Sequence, residues 1–379
     1  MKILFISERI LWKGTGAEKV SNSLLCALSD VLGEYNIYIV TFSKDINKTD
    51  KFKNCTIYDM DKSTLKKVLN KLKLNIGGIN NSSLNKILQK IENNKYEYVF
   101  LDSSDYGKLA KKIKRINPNI KIIVFFHDVS KFWIKSLISS SNNIKEKIKL
   151  YIQYPACIYN EYKSIKNLDI CITLNKRDGN LINKEYGLKV DNYIPVTIKD
   201  NFNLNKILTE NTDEIDLLFI GAYYLPNIQG IKWFINEVFP SINAKLTIVG
   251  NGMEKIRHEI DDENVEILGF VEDLAEVYYN ANCVIAPIFD GGGMKVKIAE
   301  ALMYGKTIFG TNEALEGYEF ISGKMGEKCN TKQEFINKIN NYIVNDKMNK
   351  FNLYSREAFI NKYDYSLTVK KIKDILNVE

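Results

Sequence analysis

Histidine is scarce in this chain of 379 residues. Only His127 and His258 occur, and no cluster of metal-ligand spacing surrounds either, so no bound metal is expected. The six cysteines, at 26, 55, 157, 171, 283 and 329, form no Cys-x-x-Cys pair. That removes zinc ribbons and dithiol redox motifs and fits reduced thiols in a cytoplasmic protein. The opening Met-Lys-Ile-Leu-Phe-Ile-Ser-Glu-Arg runs from a short apolar segment straight into charge and lacks the apolar core of a signal peptide. No stretch approaches about 18 uninterrupted apolar residues, so no membrane span is expected. A dinucleotide fingerprint is also incomplete. Gly14-x-Gly16 follows the first apolar run, but Lys19 stands at the third glycine position, and the next expected strand does not end in an acid.

What is present reads as an ordinary globular composition, with 45% hydrophobic and 26% charged residues. The length fits two domains of about 150–200 residues. Net charge is +7, and the excess is local: residues 61–150 hold 19 Lys/Arg against 7 Asp/Glu. A basic face of this kind attracts phosphates, nucleic acid or an anionic membrane surface. The abundance of Asn, Ile, Lys and Tyr also fits plain lysine usage in an AT-rich genome. No nucleic-acid-binding module is present, so no nucleic acid is expected as a partner. Residues 144–152, Ile-Lys-Glu-Lys-Ile-Lys-Leu-Tyr-Ile, have an amphipathic pattern with a basic face, suited to a membrane surface or to ordinary exposure.

Apolar runs and helical spacing alternate along the chain. Strands are predicted at 2–6, 36–42, 55–58, 98–101, 121–126 and 170–173. Helices are predicted at 17–32, 63–74, 83–92 and 104–116, with 75–83 as a loop. This alternation predicts an α/β fold, a mainly parallel sheet with helices on both faces. The pattern restarts after a polar, Asn-rich stretch. Strands are predicted at 215–221, 245–249 and 283–288, a strand and turn at 265–273, and Pro226 opens a helix. Residues 331–345 and 350–376 read as mainly helical, and His258 falls in a charged surface helix. The domains predicted are 1–200, a linker at 201–213, a second domain at 214–355 and a terminal helix at 356–379.

One stretch concentrates chemistry. Residues 288–310 read as a strand end, the turn Gly291-Gly292-Gly293, a helix stopped at Gly305, and a further strand. Met294, Ile298, Ala301 and Leu302 have helical spacing. Three glycines let the backbone approach a ligand, and a helix start aims unpaired N–H groups and a positive dipole end at it. Lys295 and Lys297 add cations where that dipole disfavours them, so a bound anion is the natural counterpart. Glu300 can accept two hydrogen bonds, as from the vicinal hydroxyls of a ribose.

Gly-Gly-Gly-x-Lys-x-Lys-x-x-Glu-Ala at 291–301, together with Pro226-Asn227-x-x-Gly230-Ile231-x-x-Phe234, resembles the GT-B-fold retaining glycosyltransferases of glycosyltransferase family 4. The resemblance implies two Rossmann-like doubly wound domains facing across a cleft, with the last helix returning to the first domain. It implies sugar transfer from a UDP- or GDP-linked donor to a glycan or lipid-linked acceptor, with retention and without a metal or other cofactor. Bacterial cell-surface polysaccharide synthesis and peripheral contact with an anionic membrane are the expected setting. Lys295 and Lys297 are implied at the diphosphate and Glu300 at the ribose. Asp290, Gly291, Gly292, Gly293 and Met294 are implied at the sugar or phosphate. Gly16 and Gly221 fall near the phosphates, Phe270 and Val271 at the base, and His127, after the 121–126 strand, beside the donor sugar. Asp128 is a weaker candidate there.

Two departures stand out. The family's Glu-x7-Glu keeps its second acid as Glu300 but has Gly292 at the first, so sugar recognition must differ. The usual Arg and Lys early in the second domain are replaced by the 221–227 region, which shifts phosphate binding onto Lys295 and Lys297. The alternatives are a sugar-nucleotide epimerase on the same fold and a non-catalytic partner subunit.

Overall fold

The computed structural model describes residues 1–10, 16–43, 53–61, 63–141, 143–207, 215–346 and 350–378. Gly14 and residues 208–213 of the expected linker lie outside them. The chain forms two compact units, Met1–Pro195 with Ser366–Glu379, and Val196–Tyr365.

The first unit is built on seven parallel strands: β1 (Ile3–Ile6), β2 (Ile37–Ser43), β3 (Cys55–Asp59), β4 (Tyr98–Leu101), β5 (Lys121–Phe126), β6 (Ile170–Thr173) and β7 (Asn192–Tyr193). Their spatial order is β3-β2-β1-β4-β5-β6-β7. The central strands are unbroken apolar runs because helices cover both faces. Leu4, Ile6, Val99, Val124 and Phe126 are wholly buried in that core. Winding reverses between β1 and β4, and ligands of such sheets bind beyond the carboxyl ends at that point.

The second unit repeats the plan with six parallel strands: β8 (Asp216–Ile220), β9 (Lys245–Val249), β10 (Val265–Gly269), β11 (Cys283–Ala286), β12 (Thr307–Gly310) and β13 (Gly326–Lys328). The order is β10-β9-β8-β11-β12-β13, so the reversal falls between β8 and β11. The helix Leu225–Trp233, with Pro226 in its first turn, crosses this junction closely. A Cβ on Gly230 would come within 1.8 Å of the Pro287 carbonyl oxygen, which is why glycine is needed there. Thr311 ties the neighbouring strand ends together. Its hydroxyl donates to the Ile288 carbonyl, and its backbone N–H donates to the Ala286 carbonyl at 3.2 Å.

Several local expectations need correction. The glycine triplet does not open the helix, which runs Val296–Met303 with Lys295 as the residue before it. Met294 therefore precedes the helix and does not share its spacing. Positive φ at Gly291 (142°) and Gly293 (58°) turns the chain before helical geometry begins. The amphipathic segment at 144–152 is the start of a much longer helix, Ile144–Asn167, which accommodates Pro155. The 75–83 loop ends early because Asn80 and Ser83 form a reciprocal cap, starting the helix at Asn81. His258 lies in a 3-10 helix, Met253–Glu259.

Gly230→Ala is expected to lower stability by about 1–3 kcal/mol or more, because the methyl group overlaps fixed backbone. A thermal melt checks this; an unchanged midpoint would show that the helix can move away freely.

Candidate functional site

Gly221 leaves β8 at the reversal point, and the side chains of Asn227 and Lys297 converge on it. A Cβ there would lie 2.8 Å from the Asn227 amide carbon and 3.0 Å from Lys297 Nζ. Lys297 Nζ donates to Asn227 Oδ1 at 2.9 Å, and Asn227 Nδ2 donates to the Ala222 carbonyl at 2.9 Å. Nζ also sits 4.4 Å from the centre of the Phe219 ring. Among the described residues no carboxylate pairs with this ammonium. Burial pushes its pKa down from 10.5 to about 7, and the charge of Lys295 pushes the same way while that of Glu300 opposes it. A cation so placed is favoured by an arriving anion.

Lys295 faces different surroundings. Its Nζ donates to Glu313 Oε1 at 2.7 Å and to the carbonyls of Gly293 at 3.0 Å and Gly292 at 3.3 Å. The Tyr318 hydroxyl donates to the Lys295 carbonyl at 2.8 Å. Lys295 thus ties the glycine turn to Glu313. Glu300 is 7% exposed on the helix that carries Lys297. The buried Tyr278 hydroxyl lies 3.3 Å from both Glu300 Oε2 and the Lys297 carbonyl, so one phenol steadies the acid and its helix turn. Met294 is buried, whereas Asp290, Gly291 and Gly292 are partly exposed. Phe270 is 59% exposed after β10, beside the partly exposed Val271 and two strands removed from β8.

In the first unit, His127 follows β5 and Asp102 follows β4. His127 Nε2 and Asp102 Oδ1 are 2.9 Å apart, and the Ser7 hydroxyl donates to Asp102 Oδ2 at 2.6 Å. Burial lowers the His127 pKa although Asp102 opposes it. The neutral ring then donates its Nε2 proton to Asp102 and presents Nδ1 as an acceptor. Asp105, close by, is pushed up to about 7 by burial and then by Glu8. Gly16 is the first residue of the helix Gly16–Leu32 and is exposed.

The structure therefore brings Gly221, Lys297 and Glu300 together and turns Lys295 to the glycine loop. Sequence reasoning gave no role to Asn227, Glu313, Tyr278 or Asp102. Asn227 had a signal in the Pro-Asn pair, and Asp102 had one as an acid closing a buried strand. Among the described residues, no group of three or more His, Cys, Asp or Glu is placed to hold a metal ion. No helix among them is long and apolar enough to cross a membrane.

Residues 214–345 match the family model described as glycosyl transferases group 1. Sucrose-phosphate synthase from Thermosynechococcus elongatus superposes with a TM-score of 0.75 at 14% identity, covering 99% of this chain and 98% of that one. Anabaena HepE in complex with UDP-glucose gives 0.70 at 14% identity, covering 100% and 99%. A lipopolysaccharide outer core galactosyltransferase, WaaB, gives 0.67 at 14% identity, covering 99% of both. No curated protein matches the chain in sequence. That match lies within the second unit, and the whole chain shares the two-sheet GT-B fold of these structures.

Lys297→Met should raise the melting midpoint of the free protein, by about 1 kcal/mol or more in stability, because it removes a desolvated charge that has only neutral partners. Differential scanning calorimetry reads this directly. A large loss of stability would mean that the ammonium is structural.

Proposed function

We propose that the chain moves a sugar from a nucleoside-diphosphate donor, UDP- or GDP-linked, to a hydroxyl of a glycan or lipid-linked acceptor with retention. The observation that carries this reading is the half-buried Lys297, without a carboxylate partner, at the switch point of a group 1 glycosyltransferase domain. The C1–oxygen bond to the diphosphate breaks, and a C1–oxygen bond to the acceptor hydroxyl forms as that hydroxyl passes its proton to the departing diphosphate oxygen. The charge developing on the departing diphosphate needs prepositioned donors. Lys297 Nζ lies 3.0 Å from where a Gly221 Cβ would sit and has no carboxylate partner among the described residues, and the glycine turn supplies close backbone approach.

Lys295 acts by holding that turn through Glu313, a revision of its expected direct contact with diphosphate. Glu300 takes the ribose, while Phe270 and Val271 border the base. Asp290, the turn residues 291–293 and the backbone at Met294 meet the sugar or phosphate. His127, held by Asp102, and Gly16 serve the donor sugar and acceptor from the first unit. The leaving-group charge is met in this scheme by protein groups without a metal. Six free cysteines support a cytoplasmic setting, and the basic first unit supports peripheral contact with an anionic membrane. Cell-surface polysaccharide synthesis remains the setting that this acceptor class fits.

Calorimetry with UDP-, GDP- and ADP-sugars tests the reading. One donor should bind selectively, and Lys297→Met should lose it by about a hundredfold or more. The free amine titrates near 7 and the bound one higher, so binding takes up a proton as pH rises above 7. Affinity should fall toward tenfold per pH unit there. Flat affinity between pH 7 and 9 would remove Lys297 from the diphosphate site. No binding to any donor would favour the partner-subunit reading.

A further inference from the structure

We infer that the first unit docks on an anionic lipid bilayer through two neighbouring helices, Thr64–Leu72 and the start of Ile144–Asn167. This rests on the membrane-contact part of the reading above and not on the donor chemistry of the second unit.

The shorter helix has no buried residue. Leu65, Leu69 and Leu72 recur at i, i+4 and i+7, and Leu65 and Leu72 are 69% and 67% exposed. That spacing makes a continuous stripe on a helix. The longer helix repeats the device with Ile144, Ile148 and Tyr151, at 74%, 53% and 61%. The two helices pack against one another, and Lys71 Nζ donates to Gln153 Oε1 at 2.8 Å. Large aliphatic side chains so exposed, twice at the same spacing, are not explained by the core.

Charge chooses the occupant. The shorter helix and its end carry Lys66, Lys67, Lys71 and Lys73, and the longer one carries Lys145, Lys147 and Lys149. The acid among them, Glu146, is engaged by the Ser141 hydroxyl at 2.9 Å. Burial lowers the Lys71 pKa, and Lys149 and Lys67 add repulsion, so the cations crowd one another across the helix pair. Apolar stripes beside crowded lysines fit an interface that takes hydrocarbon and phosphate at once, which an anionic bilayer does. A nucleic acid would use the lysines and leave the leucines and isoleucines in water.

Vesicle flotation with the full chain tests this, comparing phosphatidylcholine with mixtures containing phosphatidylglycerol. Wild type should float with the anionic vesicles and not with phosphatidylcholine alone, and high salt should weaken it. Lys145→Gln/Lys147→Gln/Lys149→Gln and, separately, Leu69→Ser/Ile148→Ser/Tyr151→Ser should each lower partitioning by about tenfold or more. All six positions are exposed or lie at the surface edge, and an unchanged melting midpoint confirms folding in each variant. Absence of anionic-vesicle binding by wild type overturns the inference. So does an apolar triple variant that binds as wild type, which would reduce the attraction to general charge. Donor calorimetry on the same proteins keeps the two readings apart. Retained donor binding with lost flotation concerns the helix pair alone, and lost donor binding with retained flotation concerns the second unit alone.

Discussion

A lysine ammonium held at the reversal point of a parallel sheet, with an amide and a ring face as its partners, sets the terms for the second unit. Desolvating a cation is costly unless an opposite charge arrives. Here the protein fixes the cation with no carboxylate partner among the described residues, and in the proposed reading the donor diphosphate supplies the opposite charge. Asn227 orients Nζ, Gly221 lets it sit against the end of β8, and Tyr278 steadies the helix turn behind it. Gly230 allows the helix bearing Asn227 to approach the chain after β11 closely enough for that bond to exist. Removing any of these supports moves the ammonium before it removes a contact to ligand.

The two lysines of the Lys-x-Lys pair divide the work by their neighbours. Lys295 has Glu313 and two loop carbonyls, so its charge is already answered within the protein. Lys297 has no such answer, and its depressed pKa expresses that. In the first unit, His127 and Asp102 show a third arrangement, a buried pair in which the acid fixes the ring and leaves one nitrogen as an acceptor. Each unit thus prepares a differently charged group beyond the carboxyl ends of its own sheet.

Much of this was legible from residues alone. The strands at 98–101, 121–126, 170–173 and 245–249 match the observed ones residue for residue, because each is a short, mostly apolar and largely buried run. The helix after the glycine triplet was misplaced by several residues. Glycine spacing reveals that a turn exists but not where positive φ ends and helical geometry begins. Lys295 and Lys297 looked alike in one dimension because Glu313 is distant in sequence. Asn80 and Ser83 were hidden for a related reason: their cap depends on side chains that composition reads as loop. Asp102 was marked by its place as an acid closing a buried strand, but its pairing with His127 was not, because strand order is not written in any local pattern.

The central claim is that Lys297 is the cation reserved for the donor diphosphate. A crystal structure of the chain with a bound nucleoside diphosphate tests it most directly. The account predicts a phosphate oxygen within about 3 Å of Lys297 Nζ, beside the backbone of Gly221. A diphosphate bound elsewhere, with Lys297 still on Asn227 and no anion near it, would contradict the account.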